Sequence, residues 1–136
     1  MLRLKVITPQ KIVMETDVES VTVPSFEGEI TILPRHANLF SLLIEGIVTI
    51  RKEGEEVYLS IGGGYAETNG KDLRILVSRA YGQDEIDNKL TQQAIENAKK
   101  ILSESKDNNE RINASSVLRR SIIDSKLIKK RRKRPV

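Results

Sequence analysis

His36 is the one imidazole in this 136-residue chain that could serve as a general base or metal ligand, and there is no cysteine. The absence of cysteine excludes a disulfide framework, a thiolate nucleophile and any cysteine-ligated metal. A lone histidine builds no metal cluster, and no Ser/His/Asp order is discernible around it. On chemistry alone His36 reads as a surface loop residue. The run Gly62-Gly63-Gly64 lacks a following Lys-Ser/Thr and lies between two strand-like segments. It is therefore neither a P-loop nor a dinucleotide fingerprint, and its use is backbone geometry. Glu53, Glu55 and Glu56 cluster in a turn and read as a solvated hairpin tip. No catalytic residue, cofactor site or metal ligand set emerges, so the expectation is a protein that is not an enzyme and acts by binding.

Charge points the same way. The net charge of +4 conceals an asymmetry: from Arg119 onward nine Lys/Arg face Asp124 alone, giving +8, while the first 118 residues hold 14 basic and 18 acidic residues, giving −4. An acidic body carries a basic tail. Such a tail is compatible with nucleic acid bound by counterion release, with anionic lipid, with an acidic protein surface, or with simple solubilisation. Aromatic residues make up 4% of the chain and none lies beyond Tyr81, so the tail has no base-stacking platform. Its apolar residues also form no single insertion face.

The elements that must position these groups are legible from periodicity. With 38% hydrophobic and 31% charged residues, the chain suits one globular unit plus a charged appendage. The longest apolar stretch, around Leu39 to Ile44, is far short of the roughly 20 residues of a membrane-spanning helix, so no transmembrane segment is expected. The opening MLRLKVITPQ has charges within its apolar pattern and reads as a strand, not a secretion signal. Leu2, Leu4 and Val6 alternate with Arg3 and Lys5; Val21 and Val23 flank Thr22; Ile30 and Ile32 flank Thr31. Further β runs cover Gly46 to Arg51, Val57 to Ile61, Tyr65 to Thr68 and Leu73 to Val77, and Asn69-Gly70 is a hairpin signal. Eight or more short strands predict an antiparallel β-sandwich or barrel over residues 1–82.

After Gly82 the period changes. Asp84 is read as an N-cap, and Ile86, Leu90, Ala94, Ala98, Ile101 and Leu102 recur on one broad face of a helix ending near Glu104. Ser105 to Asn109 is polar turn chemistry, and Ile112 to about Lys133 reads as a second helix, giving a two-helix antiparallel hairpin over residues 83–136. The second helix carries the pairs Val117/Leu118, Ile122/Ile123 and Leu127/Ile128 five residues apart. At about 100° per residue they spread around the helix, so no single surface buries them all.

The segment Val23-Pro24-Ser25-Phe26-Glu27-Gly28-Glu29-Ile30-Thr31-Ile32-Leu33-Pro34-Arg35-His36-Ala37-Asn38-Leu39 resembles the epsilon subunit of bacterial F-type ATP synthase. That family's pattern here runs roughly Glu-Gly-Glu-Phe-Gly-Ile-Leu-Pro-Gly-His-Ala-Pro-Leu. The resemblance continues through Gly46-Ile47-Val48, Gly63-Gly64-Tyr65-Ala66-Glu67 and Asp84-Glu85-Ile86-Asp87, and is weakest after Asn108. It implies an N-terminal β-sandwich that joins the gamma subunit to the c-ring of the membrane sector, and a C-terminal helical hairpin, with no chemistry of its own. The family's c-ring contacts map onto Glu29 and His36, which gives His36 a role its chemistry alone does not suggest. It also implies a location at the cytoplasmic face of the plasma membrane, peripheral, within the synthase.

Departures from the pattern are informative. Thr31, Arg35, Asn38 and Phe40 replace the usual Gly, Gly, Pro and Leu. Some family members bind ATP through Ile/Leu-Asp-x-x-Arg-Ala; here that stretch is Ile86-Asp87-Asn88-Lys89-Leu90-Thr91, and a second family arginine falls at Asn97. With Leu90, Thr91 and Asn97 at these positions, no cofactor of the usual kind is expected. In the family, basic residues of the second helix meet an acidic segment of the beta subunit in the alpha/beta catalytic hexamer and block hydrolysis, which the resemblance maps onto Arg119, Arg120, Lys126, Lys129 and Lys130. The competing expectation is a nucleic-acid-binding module built on the basic tail.

Overall fold

The structure, a computed structural model, describes residues 1–82 and 85–133. It divides into two compact units, Met1–Gly82 and Gln83–Val136. The first unit contains β1 (Leu2–Ile7), β2 (Ile12–Val18), β3 (Ser20–Ser25), β4 (Gly28–Ile32), β5 (Leu39–Leu43), β6 (Gly46–Lys52), β7 (Glu55–Ile61), β8 (Gly64–Thr68), β9 (Asp72–Val77) and β10 (Ala80–Gly82). The second contains α1 (Asn88–Glu104) and α2 (Asn108–Lys133).

Alternation decides which side of each strand faces inward. Leu2, Leu4 and Val6 of β1, Val21 and Val23 of β3, and Leu73 and Ile75 of β9 are fully buried, whereas Arg3 and Arg74 point to solvent. The strands join in the order β10-β7-β6-β3-β5-β8-β9-β1-β2, with β4 added to β3. The two halves of this path enclose one core, to which β1, β3, β6, β7, β8 and β9 all contribute. They connect at one register pair, Ser25↔Leu43, between β3 and β5. A hydrogen bond from Lys52 Nζ of β6 to Thr16 Oγ1 of β2 links the opposite side. The result is a ten-stranded sandwich close to a barrel.

Three strands, β2, β5 and β10, go beyond those marked by the alternation, and one pairing is not antiparallel. β1 runs parallel to β9, with Leu4 opposite Leu73 and Val6 opposite Ile75. Each of these strands also belongs to an antiparallel pair, β1 with β2 and β8 with β9, and the two pairs meet side by side along β1 and β9.

In the helical unit, Asp84 lies outside the described residues, and the N-cap of α1 is Asp87, whose Oδ1 accepts from Leu90 N at 3.0 Å. α2 starts earlier than Ile112 because Asp107 caps it, accepting from Asn109 N at 2.8 Å and Glu110 N at 3.3 Å. The packing seam also differs from the expected broad face. Thr91 and Ala98 of α1 and Ala114, Ser121 and Leu127 of α2 are buried, while Leu90 is 63% and Ile101 39% exposed. Small side chains at the seam let the helices approach, which turns the bulkier Leu90 and Ile101 outward. The apolar pairs of α2 divide accordingly: Leu127 is buried, Ile122 exposed, and Val117, Leu118, Ile123 and Ile128 half-buried.

Candidate functional site

The segment from β3 to β5 carries the sequence-predicted contact residues. Ser25 holds the β3–β4 hairpin from inside: its Oγ donates to Gly28 O at 2.5 Å and accepts from Glu27 N at 3.2 Å. This leaves Phe26 at the tip, 76% exposed. Glu29 follows on β4, opposite Pro24 and exposed. His36 lies beyond the other end of β4, so the structure separates Glu29 from His36 along the strand, with about 10 Å from Glu29 to Ile32 alone.

His36 is placed by a tight turn. Its amide donates to Leu33 O at 3.2 Å, Pro34 occupies the second position and Arg35 the third, with φ +67°. This is the type II arrangement, which favours proline and then a positive φ. Arg35 therefore adopts a positive φ that glycine would take without steric cost. Arg35 N also donates to Gly70 O at 2.8 Å, tying the turn to the β8–β9 hairpin. Gly70 has φ +91°, and a Cβ there would stand 3.0 Å from His36 O. Asn69 contributes through its side chain: Oδ1 accepts from Lys71 N at 2.9 Å and Asp72 N at 2.8 Å. The His36 ring is half-buried, and its Nδ1 lies 2.8 Å from Ala37 O. A carbonyl only accepts, so Nδ1 carries the proton, and in the neutral ring Nε2 is left as an acceptor.

Sequence reasoning missed an apolar outer surface beside this turn. Phe40, Leu42 and Ile44 are 61%, 59% and 47% exposed, whereas Leu43 is buried and Leu39 packs on the core. Tyr65 of β8 lies opposite Leu42 and stacks on Phe40 with ring centroids 5.0 Å apart. The Phe26 amide donates to Leu42 O at 3.0 Å, which brings the hairpin tip to the same place. Residues apolar on both sides of a strand are the signature of a strand covered on both faces. The run Leu39 to Ile44 carries that signal in the sequence.

Phe40 also borders a groove of about 860 Å³ across β5, β8, β9, β1 and β2. Its charges balance along the strands: Arg3 pairs with Asp17 at 3.3 Å and Glu15 at 3.7 Å, and Arg74 with Glu67 at 3.4 Å. A groove so neutralised suits a mixed-charge protein surface and offers no phosphate cradle.

The glycine run acts through close backbone approach. A Cβ on Gly64 would stand 1.9 Å from Leu76 O, and one on Gly62 would stand 2.1 Å from Ser78 Oγ. At the positions of the nucleotide motif, the Asp87 carboxylate is the helix cap, Leu90 is solvent-exposed, Asn97 is exposed, and Thr91 is buried with its hydroxyl donating to Asp87 O at 2.8 Å. Arg119, Arg120, Lys126, Lys129 and Lys130 are exposed on α2. Among the described residues no cluster of His, Asp and Glu is placed to hold a metal ion, and no helix is long and apolar enough to cross a membrane.

A sandwich with an outward apolar face, a structured loop beside it and a helical hairpin with exposed cations define a protein that works by docking to other proteins. The family model for the ATP synthase, Delta/Epsilon chain, beta-sandwich domain matches residues 1–83. The chain is 36% identical to the ATP synthase epsilon chain of Trichodesmium erythraeum, over 88% of this chain and 90% of that one, and 31% identical to that of Herpetosiphon aurantiacus over 98% of each. A chain in the Euglena gracilis mitochondrial ATP synthase has the same fold, with TM-score 0.77 and 27% identity over 86% of this chain and 74% of that one. This chain belongs to the ATP synthase epsilon chain family, the non-catalytic epsilon/delta subunits of the F-type central stalk.

Proposed function

We propose that the sandwich joins the gamma subunit to the c-ring, coupling rotation of the central stalk to proton-driven ATP synthesis at the cytoplasmic face of the plasma membrane, and that the hairpin is a brake on ATP hydrolysis. The outward apolar surface of Phe26, Phe40, Leu42 and Ile44 carries this reading. Contiguous exposed apolar surface marks a protein interface, and it adjoins a charge-balanced groove suited to the polar rim of one. We assign this surface to gamma. Glu29 and His36, exposed and half-buried respectively, offer a carboxylate and an imidazole to polar c-ring loops through charge-assisted hydrogen bonds. Arg119, Arg120, Lys126, Lys129 and Lys130 are the cations offered to an acidic segment of beta in the alpha/beta hexamer.

Two experiments test the two halves. Leu42→Asp places a charge in the middle of the apolar surface without touching the core, and it is expected to weaken capture by purified gamma at least tenfold, about 1.4 kcal/mol. Unchanged capture would remove gamma from this face. For the brake, ATP hydrolysis by the cognate catalytic complex is measured with the full chain and with one ending at Gln83, after both are shown to incorporate. Higher activity with the shorter chain is the expected result; equal activity would leave coupling as the protein's one role.

A further inference from the structure

The two ends of the helical hairpin are held in different ways. At the turn the bonds are local and specific. The Arg111 guanidinium donates to Leu102 O and, at 3.2 Å, to Ser105 O, while Ser105 Oγ donates to Glu110 Oε2 at 2.5 Å. Between the ends, the buried seam is made mostly of small side chains, Thr91, Ala98, Ala114 and Ser121, which remove little apolar surface from water. Near the open end, Gln92 Nε2 lies 3.4 Å from Ser125 Oγ, which fixes the antiparallel register. This register sets Asn88 level with about Lys129, and α2 continues past the first residue of α1 by roughly one turn.

Charge segregates by helix at this end and not at the turn. The approach to α1 holds Asp84, Glu85 and Asp87, with one cation, Lys89, just after them. The facing end of α2 holds Lys126, Lys129 and Lys130, and the sequence continues Arg131-Arg132-Lys133-Arg134. At the turn, Glu104, Asp107 and Glu110 are interspersed with Lys106 and Arg111. Acids suit a helix start and bases a helix end, so each set is favourable on its own helix, and among the described residues the antiparallel register brings Glu85 and Asp87 to the same end of the hairpin as Lys126, Lys129 and Lys130. Glu85, Asp87, Lys126, Lys129 and Lys130 are all exposed, so their attraction acts through water and is screened by salt.

We propose that the acidic start of α1 and the cationic end of α2 form an electrostatic latch, and that the hairpin opens from this end when salt screens the latch or an acidic surface competes for its lysines. The second clause rests on the brake reading: the cations that an acidic partner takes are those that hold the hairpin shut, so docking and opening become one exchange of counter-charges. The first clause concerns the chain alone.

Amide hydrogen exchange of the full chain, compared at about 20 mM and about 500 mM salt, reads the latch directly, because screening shortens its range severalfold over this interval. Amides of residues 118–130 are expected to exchange roughly fivefold faster or more at high salt, while those of residues 104–114 and of the sandwich hold steady. Lys129→Gln with Lys130→Gln should reproduce the fast exchange at low salt. Glu85→Lys should do the same, and adding Lys130→Glu to it should restore protection. Exchange along α2 that ignores salt, or that accelerates equally at both ends of the hairpin, overturns the latch. Salt-dependent opening in a chain that does not inhibit hydrolysis would sink the brake and keep the latch; inhibition by a chain whose α2 ignores salt would do the reverse.

Discussion

Arg35 bears a backbone conformation that ordinarily calls for glycine. At φ +67° an L-residue pays about 1–2 kcal/mol in steric strain, and glycine recovers most of this while losing some to the greater freedom of the unfolded chain. Arg35→Gly is therefore expected to stabilise the protein by about 1 kcal/mol, seen as a rise of roughly 0.5 M in the urea midpoint of the sandwich. The strain sits beside His36, in the turn assigned to the c-ring. If Arg35→Gly raises stability and also weakens binding to the c-ring, the guanidinium itself makes a contact there; if binding is unchanged, arginine is merely tolerated. A fall in stability would mean that the Arg35 side chain contributes more than the backbone strain costs. Gly64 shows the opposite constraint. A methyl group there has nowhere to go beside Leu76 O, so Gly64→Ala should lower stability by about 3 kcal/mol or more, measured by the same urea titration.

At the scale of elements, the first helix depends on one side chain for its start. Asp87→Ala removes the acceptor for Leu90 N and should cost the helical unit about 1 kcal/mol, with faster amide exchange at Leu90 and Thr91 and none in the sandwich. Unaltered protection at Leu90 would mean that another group caps α1. This cap also illustrates what the sequence made legible. The sequence pattern points to Asp84, whereas the extended backbone of Asp87 and its bond from Leu90 N mark Asp87 as the cap, a feature that residue type alone does not reveal. Strands β1, β3, β4, β6, β8 and β9 were readable because one face is wetter than the other, and that contrast writes a period of two, whereas β7 is buried on both faces from Tyr58 to Ile61 and was marked by its β-branched and aromatic content. β5 was not readable, since its outward Phe40 and Leu42 are as apolar as its inward Leu43. β10 is three residues long, too short for any period to register. The helical seam was read correctly at Ala98 but otherwise drawn toward Leu90 and Ile101, because hydrophobicity marks the bulky residues, whereas close helix approach selects Thr91 and Ala114 for their size. The region of the proposed rotor contacts was found by resemblance; the apolar surface beside it follows from β5 being a strand at all.

The whole molecule joins two units of unequal cohesion. The sandwich encloses a continuous core of 17 buried apolar residues, many of them fully excluded from water, whereas the described part of the hairpin buries Ala98, Ala114 and Leu127 together with the polar Thr91 and Ser121. Burial of a large aliphatic side chain contributes about 1.5–3 kcal/mol, and alanine much less, so the hairpin should have far the smaller stability of the two. The sequence supplies separate reporters for them. There is no tryptophan, and all three tyrosines, Tyr58, Tyr65 and Tyr81, belong to the sandwich, while the ellipticity at 222 nm is dominated by α1 and α2. On titration with urea the helical signal should therefore fall first and the tyrosine fluorescence later, with a midpoint separation of about 1 M or more. Added salt should move the first transition downward by weakening the open end of the hairpin and leave the second nearly fixed. Two coincident transitions would mean that the hairpin does not unfold independently, and a brake that must open while the sandwich stays seated on the rotor would then lack the separable element it requires.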